Sequence, residues 1–233
     1  MQTRYRILAA LATVLLVAAA PALAETGPPA PKYDPAVAAM IERIDASGIY
    51  RTAADLQGIP TRVYPSPGNR QAADYLYERL TAIPGLEVDY QDDRYRNVVA
   101  TLPGRGSASG EAIMVGAHYD SASSDPDRAP GATDDGAGVA TVLELARVMS
   151  AAGFDRTVRF AFWNAEETGL DGSAAYVRDA AEESMVIPLY LNYDGASTTR
   201  RLTSSWTSSR TRSRRRLPRR WPGAMTCTAP GSS

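Results

Sequence analysis

AIMVGAHYDS, residues 112–121, is the stretch on which the fold turns. Residues 112–117 form a continuous uncharged apolar run, short enough for a strand and without the polar alternation of a half-exposed one, so it suits a strand buried on both faces. A histidine and an aspartate follow as the run ends. Outward toward the C-terminus, the Gly-rich acidic segment APGATDDGAG (129–138) leads into a strongly amphipathic pattern over 139–149, then a second buried apolar run over 158–163. Strand, helix, strand in this order is a βαβ unit, and it predicts a mostly parallel sheet covered by helices. A helix over 173–181 and a strand over 186–192 extend the alternation. Toward the N-terminus, strands are predicted over 86–90 and 97–102. A helix through Ala73, Leu76 and Leu80 precedes them, entered from the turn-rich Pro65-Ser66-Pro67-Gly68-Asn69 and closed by Pro84-Gly85. Asp34 and Pro35 make an N-cap and first-turn pair for a helix running through Val37, Met40, Ile41 and Ile44.

The 233 residues suffice for one sizeable α/β domain. Their near-neutral balance conceals a split. All 26 Asp and Glu lie in the first 194 residues with 16 of the 25 Lys and Arg, while the last 39 residues hold the other nine and no acid. From Gly195 onward there is also no Val, Ile, Phe or Tyr, and no apolar period. As a functional element, the arginines of 210–220 with Trp206 and Trp221 would bind nucleic acid or an anionic surface. An out-of-frame translation of GC-rich DNA accounts for the composition better, so no nucleic-acid partner is expected. At the other end, Arg4 and Arg6, the apolar run 7–20 and Ala22-Leu23-Ala24 before Glu25 have the layout of a cleaved export signal. The run falls short of the roughly 20 residues of a membrane span. The expected location is periplasmic or extracellular, with no membrane anchor after cleavage. Cys227 is the only cysteine, so no internal disulfide can form.

The only histidine and three acidic clusters all follow predicted strand ends, where open α/β sheets bind ligands. His118 leaves its strand with Asp120 two residues on, which suits a metal ligand and a carboxylate that fixes its tautomer. Asp134 and Asp135 sit side by side in a glycine-rich loop, and Glu166 and Glu167 do so in FWNAEETGLDGS (162–173). Adjacent carboxylates point in different directions, so one can bind metal while the other stays free as a base. Asp194, in LNYD (191–194), closes the last strand. Each has an ordinary reading taken alone: a hydrogen-bonded strand-end histidine, a helix cap, a solvated turn. Together they suit Zn²⁺, which takes His and carboxylate ligands and keeps a position open for water in hydrolytic sites.

The ordered set GAHYDS, PGATDDGAG, NAEETGLDGS, LNYD resembles the zinc exopeptidase family of secreted leucyl aminopeptidases, aminopeptidase Y and glutamate carboxypeptidase II, over roughly residues 34–194. The resemblance implies a mixed central sheet with helices on both faces, a three-layer sandwich. It implies two zinc ions per intact enzyme and peptide substrates with a free N-terminus. His118 and Asp194 would be ligands of one zinc, Glu167 a ligand of the other, and Asp134 the bridge between them. Asp120 would orient His118, Asp135 would follow Asp134 through a cis peptide, and Glu166 would be the general base acting on the metal-bridging water.

One element of the family pattern is absent, because its second histidine ligand comes later in the chain and this sequence has His118 alone. At most one complete zinc site is therefore expected, with the C-terminal part of the fold missing. The expected layout is a signal peptide (1–24), a Pro-rich linker (25–33), the catalytic domain (34–194) and an out-of-frame or disordered tail (195–233). A glutaminyl cyclase or carboxypeptidase on the same scaffold, and a degenerate binding module without metal, are the alternatives.

Overall fold

The computed structural model describes residues 34–195. The expected signal peptide, the linker and the tail beyond Gly195 lie outside the described residues. Local chemistry sets the first elements. Asp34 accepts the Ala36 N–H at 2.8 Å and Pro35 takes the first helical position of α1, Pro35–Glu42. The helix expected to run through Ile44 stops at Glu42, and a second helix follows it. Asp45, in extended backbone, accepts the Ser47 N–H at 2.9 Å and starts α2, Ala46–Gln57, leaving Ile44 in the break. α2 is absent from the sequence reading because its apolar stripe is thin: Thr52 and Leu56 are its only buried residues. α3, Pro67–Thr81, begins inside the stretch read as a turn. Ser66 Oγ accepts the Asn69 N–H at 3.0 Å and Pro67 supplies the ready-made first turn.

The strands are β1 (Glu87–Gln91), β2 (Asn97–Leu102), β3 (Glu111–His118), β4 (Thr157–Trp163) and β5 (Val186–Asn192), in the sheet order β1-β2-β4-β3-β5. The β1–β2 and β2–β4 pairings are antiparallel and the β4–β3 and β3–β5 pairings parallel, so β2 alone runs against the other four strands. The sheet is mixed, with most strands pointing one way. α4 (Ala137–Met149) crosses from β3 to β4, and α5 (Asp171–Glu182) from β4 to β5.

Alternation along the strands divides the core. Val98, Val115, Phe160 and Phe162 pack on one face against Leu76 and Leu80 of α3 and Val139 and Val142 of α4. Val99, Met114, Ala161 and Trp163 pack on the other against Tyr176 and Ala180 of α5. The result is the expected three layers. Burying a Phe of this kind contributes roughly 1.5–3 kcal/mol. Among the described residues no helix is long and apolar enough to cross a membrane.

Because β3, β4 and β5 are parallel and nearly in register, they end on the same edge. His118 lies opposite Trp163 and Gly116 opposite Asn192. The loops after these three strands, which carry the acidic clusters, therefore meet.

Candidate metal centre

His118 is buried at the end of β3. Its Nε2 stands 3.1 Å from Asp134 Oδ1 and 4.0 Å from Asp194 Oδ1, and its Nδ1 stands 3.4 Å from Asp120 Oδ1. That last contact is ionic and outside hydrogen-bond geometry, so Nδ1 has no hydrogen-bond partner. Asp120 is itself buried, and its two oxygens accept the backbone N–H groups of Glu166 and Glu167, each at 3.1 Å. One carboxylate thus faces the histidine and holds the glutamate turn beside it.

The Asp134–Asp135 peptide is cis, as the resemblance implies. The two side chains have separate surroundings. Asp135 is fully buried and accepts backbone N–H groups from His118 (3.3 Å), Gly138 (3.1 Å) and Gly195 (3.3 Å). Asp134 is 65% exposed and reaches Nε2. Asp135 does lie with His118 and Asp194 in a group whose ligand-type atoms fall within 4.8 Å of one another. Its oxygens are nevertheless taken by amides, and Asp134 is the carboxylate with free lone pairs at Nε2. Gly138 lets the start of α4 approach, since a Cβ there would lie 2.3 Å from Asp135 Oδ1.

The charges act on one another. Burial works to lower the His118 pKa, but Asp120 first, then Asp135 and Glu166, outweigh it and raise it to about 9. Burial lifts Asp135 to about 7 against the pull of His118 and the backbone N–H groups. Burial, with neighbouring carboxylates, also raises Glu166 and Glu167 above the usual carboxylate range. His118, Asp135 and Asp194 form a group of the residue types that could hold a metal ion.

Residues 97–224 match the model of Peptidase family M28. That covers more than half of the chain, including Gly116–Ser121, both Asp134 and Asp135, the glutamate pair and Asp194. The chain belongs to peptidase family M28. It is 40% identical over 111 residues to a probable lipoprotein aminopeptidase, LpqL, of Mycobacterium tuberculosis, covering 47% of this chain and 21% of that one. A probable leucine aminopeptidase of Trichophyton verrucosum is 30% identical over 179 residues, covering 70% and 46%. LapB of Legionella pneumophila superposes with a TM-score of 0.64 at 27% identity, over 72% of this chain and 48% of that structure. The chain spans less than half the length of each.

The donor set of this M28 chain fits zinc. Nε2 of a buried imidazole, the open carboxylate of Asp134 and that of Asp194 are hard and borderline ligands of the types zinc takes, with Asp120 placed to orient the ring. His118 ends β3, and the other five residues expected from the sequence lie in the three converging loops. The sequence reading missed the support beneath them. Asn69 and Asn164, both buried, exchange side-chain amide hydrogen bonds at 2.8 and 3.0 Å. Asn164 Oδ1 also accepts the Ala165 N–H at 3.0 Å, which braces the turn leading to Glu166. Arg62 is buried beneath the Asp134 loop. Only Asn164, inside NAEET, lay in a motif singled out by its chemistry.

Proposed function

We propose that the chain carries the catalytic core of an exported zinc aminopeptidase, which hydrolyses the N-terminal residue from peptides. The observation that carries this reading is the placing of His118 Nε2 against Asp134 and Asp194, beside a Glu166–Glu167 turn held by Asp120. Membership of M28 and the aminopeptidase names of its relatives support the reaction class.

His118, Asp134 and Asp194 would hold one zinc, and Asp134 and Glu167 would contribute to a second. When bound, zinc supplies a Lewis acid that makes water nucleophilic near neutral pH. Glu166 is the general base: its carboxylate takes the proton from the attacking water and passes it to the leaving amine. Its raised pKa suits it to hold that proton closer to neutrality than an ordinary glutamate would. Asp120 keeps the imidazole and the Glu166 backbone in place, and Asp135 ties the start of α4 to the His118 strand end.

The chain contains one histidine, so it offers the second zinc only Asp134 and Glu167. Zinc analysis combined with an aminoacyl-nitroanilide assay tests the reading. The expected result for this chain is one tightly held zinc, lost in His118→Ala, with no turnover. A chain that binds no zinc, or binds it equally well without His118, overturns the reading. Two zincs with peptide cleavage would overturn the single-site argument. For residues 195–233 we infer an out-of-frame origin from composition, although the M28 match runs to residue 224. Reading the coding DNA in its other two frames after Asp194 tests this: a continuation with a histidine and an apolar period supports it, and its absence rejects it.

A further inference from the structure

The largest fully buried side chain among the described residues belongs to no motif. Arg62, between α2 and α3, has no solvent exposure. Its Nε donates to the Tyr119 carbonyl at 2.8 Å, Nη1 to the carbonyls of Leu56 (3.3 Å) and Pro130, and Nη2 to that of Gly131 at 3.0 Å. Four of the five donors of a guanidinium are thus used on backbone oxygens, none on a carboxylate. The backbone of Arg62 is engaged in the same region. Its N–H reaches Ser121 Oγ at 3.1 Å, and its carbonyl accepts from Ser121 N at 3.3 Å and from Asn69 Nδ2 at 3.0 Å.

The carbonyls it gathers have particular positions. Tyr119 lies between His118 and Asp120. Pro130 and Gly131 enter the turn that carries Asp134 and Asp135. Nothing intervenes between the guanidinium and that turn: Gly131 has a φ of +50°, and a Cβ there would lie 3.0 Å from Arg62 Nη2 and 2.5 Å from the Asp134 carbonyl oxygen. A buried cation without a contacting anion is unfavourable unless charge nearby offsets it. The charges that act on this one are those of Asp120, Asp135 and Asp134.

We propose that Arg62 is a positioning residue of the metal centre, its planar guanidinium setting the separation between the His118 strand end and the Asp134 loop. This rests on the zinc reading above. A lysine keeps the charge but offers a single point of donation on a flexible stem, so it cannot hold Tyr119, Pro130 and Gly131 in one plane. Loss of outer support to a metal site typically weakens metal binding about 10–100-fold.

The test uses the full chain with Co²⁺ as the probe, following its visible absorption. Arg62→Lys should bind Co²⁺ about 10–100-fold more weakly than the parent chain and with an altered absorption band, at a temperature where circular dichroism shows it folded. Leu80→Ala, a core change in α3 away from the site, should lower the unfolding midpoint and leave the Co²⁺ band and affinity of the folded protein unchanged. If Arg62→Lys behaves like Leu80→Ala, Arg62 is structural only and the proposal fails. Should Arg62→Lys not fold, Arg62→Gln carries the test: it removes the buried charge and keeps a planar amide with only two donors for the four carbonyls. An unchanged band in that variant overturns the proposal, and a shifted band with weaker binding supports it. A parent chain that binds no Co²⁺, or binds it independently of His118, overturns the zinc reading and this inference with it. That outcome is distinct, because the failure is then in the parent rather than in the variants.

Discussion

At Asp120 two oxygens serve three groups: Oδ1 accepts from the Glu166 N–H and faces His118 Nδ1, while Oδ2 accepts from the Glu167 N–H. An asparagine has one acceptor oxygen and no charge, so Asp120→Asn frees at least one of those amides and removes the pull on the imidazole. Zinc affinity should fall about 10–100-fold, measured by competition with a chromophoric chelator. Glu166→Gln, by contrast, should keep zinc affinity in this chain. In a full-length relative with the same turn it should lower turnover about 10²–10⁴-fold, and near-normal turnover there would mean that the base is another group. The pH dependence follows from two raised pKa values. His118 is lifted from 6.5 to about 9, so its protonated form stabilises the metal-free fold fully below about pH 6.5, and that stability is lost as pH rises through 9. Asp135 is lifted from 3.8 to about 7, so its ionisation also weakens the fold as pH rises through that range. Metal-free protein in EDTA should therefore show a lower urea midpoint at pH 9 than at pH 6. Zinc, which takes neutral His118, should bind more tightly as pH rises over the same interval. A midpoint that rises with pH in EDTA would reject this account. The six candidate residues could be read from the sequence because each stands in an ordered motif at a predicted strand end. Arg62 and Asn69 could not, since the partners that tie them to the candidate site lie 57–69 and 95 positions away.

Among the elements, sequence and structure agree where an uninterrupted apolar run or a broad helical stripe marks the element. β2 and β5 have the expected limits, and β3 and β4 differ by a residue or so at their ends. The disagreement lies in the N-terminal helices, where side-chain caps rather than apolar periodicity decide the boundaries. Asp45 starts a helix that buries two residues, and Ser66 with Pro67 turns an apparent loop into the first turn of α3. The caps differ in what depends on them. α1 buries nothing, so Asp34→Ala should change global stability by no more than about 0.5 kcal/mol. α3 anchors Leu76 and Leu80 in the core and carries Asn69 to the Glu166 turn, so Ser66→Ala should cost about 1 kcal/mol. Urea denaturation of the two variants side by side checks this, and equal losses would mean that α1 packs against something the described residues do not include.

Over the whole molecule, the two edges of the sheet are finished differently. β1, EVDYQ, carries Glu87 and Asp89, and charge on an edge strand opposes pairing with another chain. β5, VIPLYLN, carries no charge, and only Pro188 interrupts its row of donors. Among the described residues it is the last strand in the sheet order, and Val186, Leu189, Tyr190 and Leu191 are 43–53% exposed. A short uncharged apolar segment on an open edge is a template for intermolecular strand pairing, and its exposed side chains favour the same association. Zinc does not remove this liability, because His118 and Asp134 lie at the strand-end loops rather than along β5. The chain should therefore associate as concentration rises through the micromolar range, with or without zinc. Sedimentation velocity would detect this as a concentration-dependent shift to larger species. Leu189→Lys, at a position 46% exposed, should suppress the shift with little loss of stability, because the charge sits at water's edge and opposes stacking of a second copy. A parent chain that stays monomeric across that range, or a Leu189→Lys variant that associates just as readily, would show that β5 is not the surface through which the molecule aggregates.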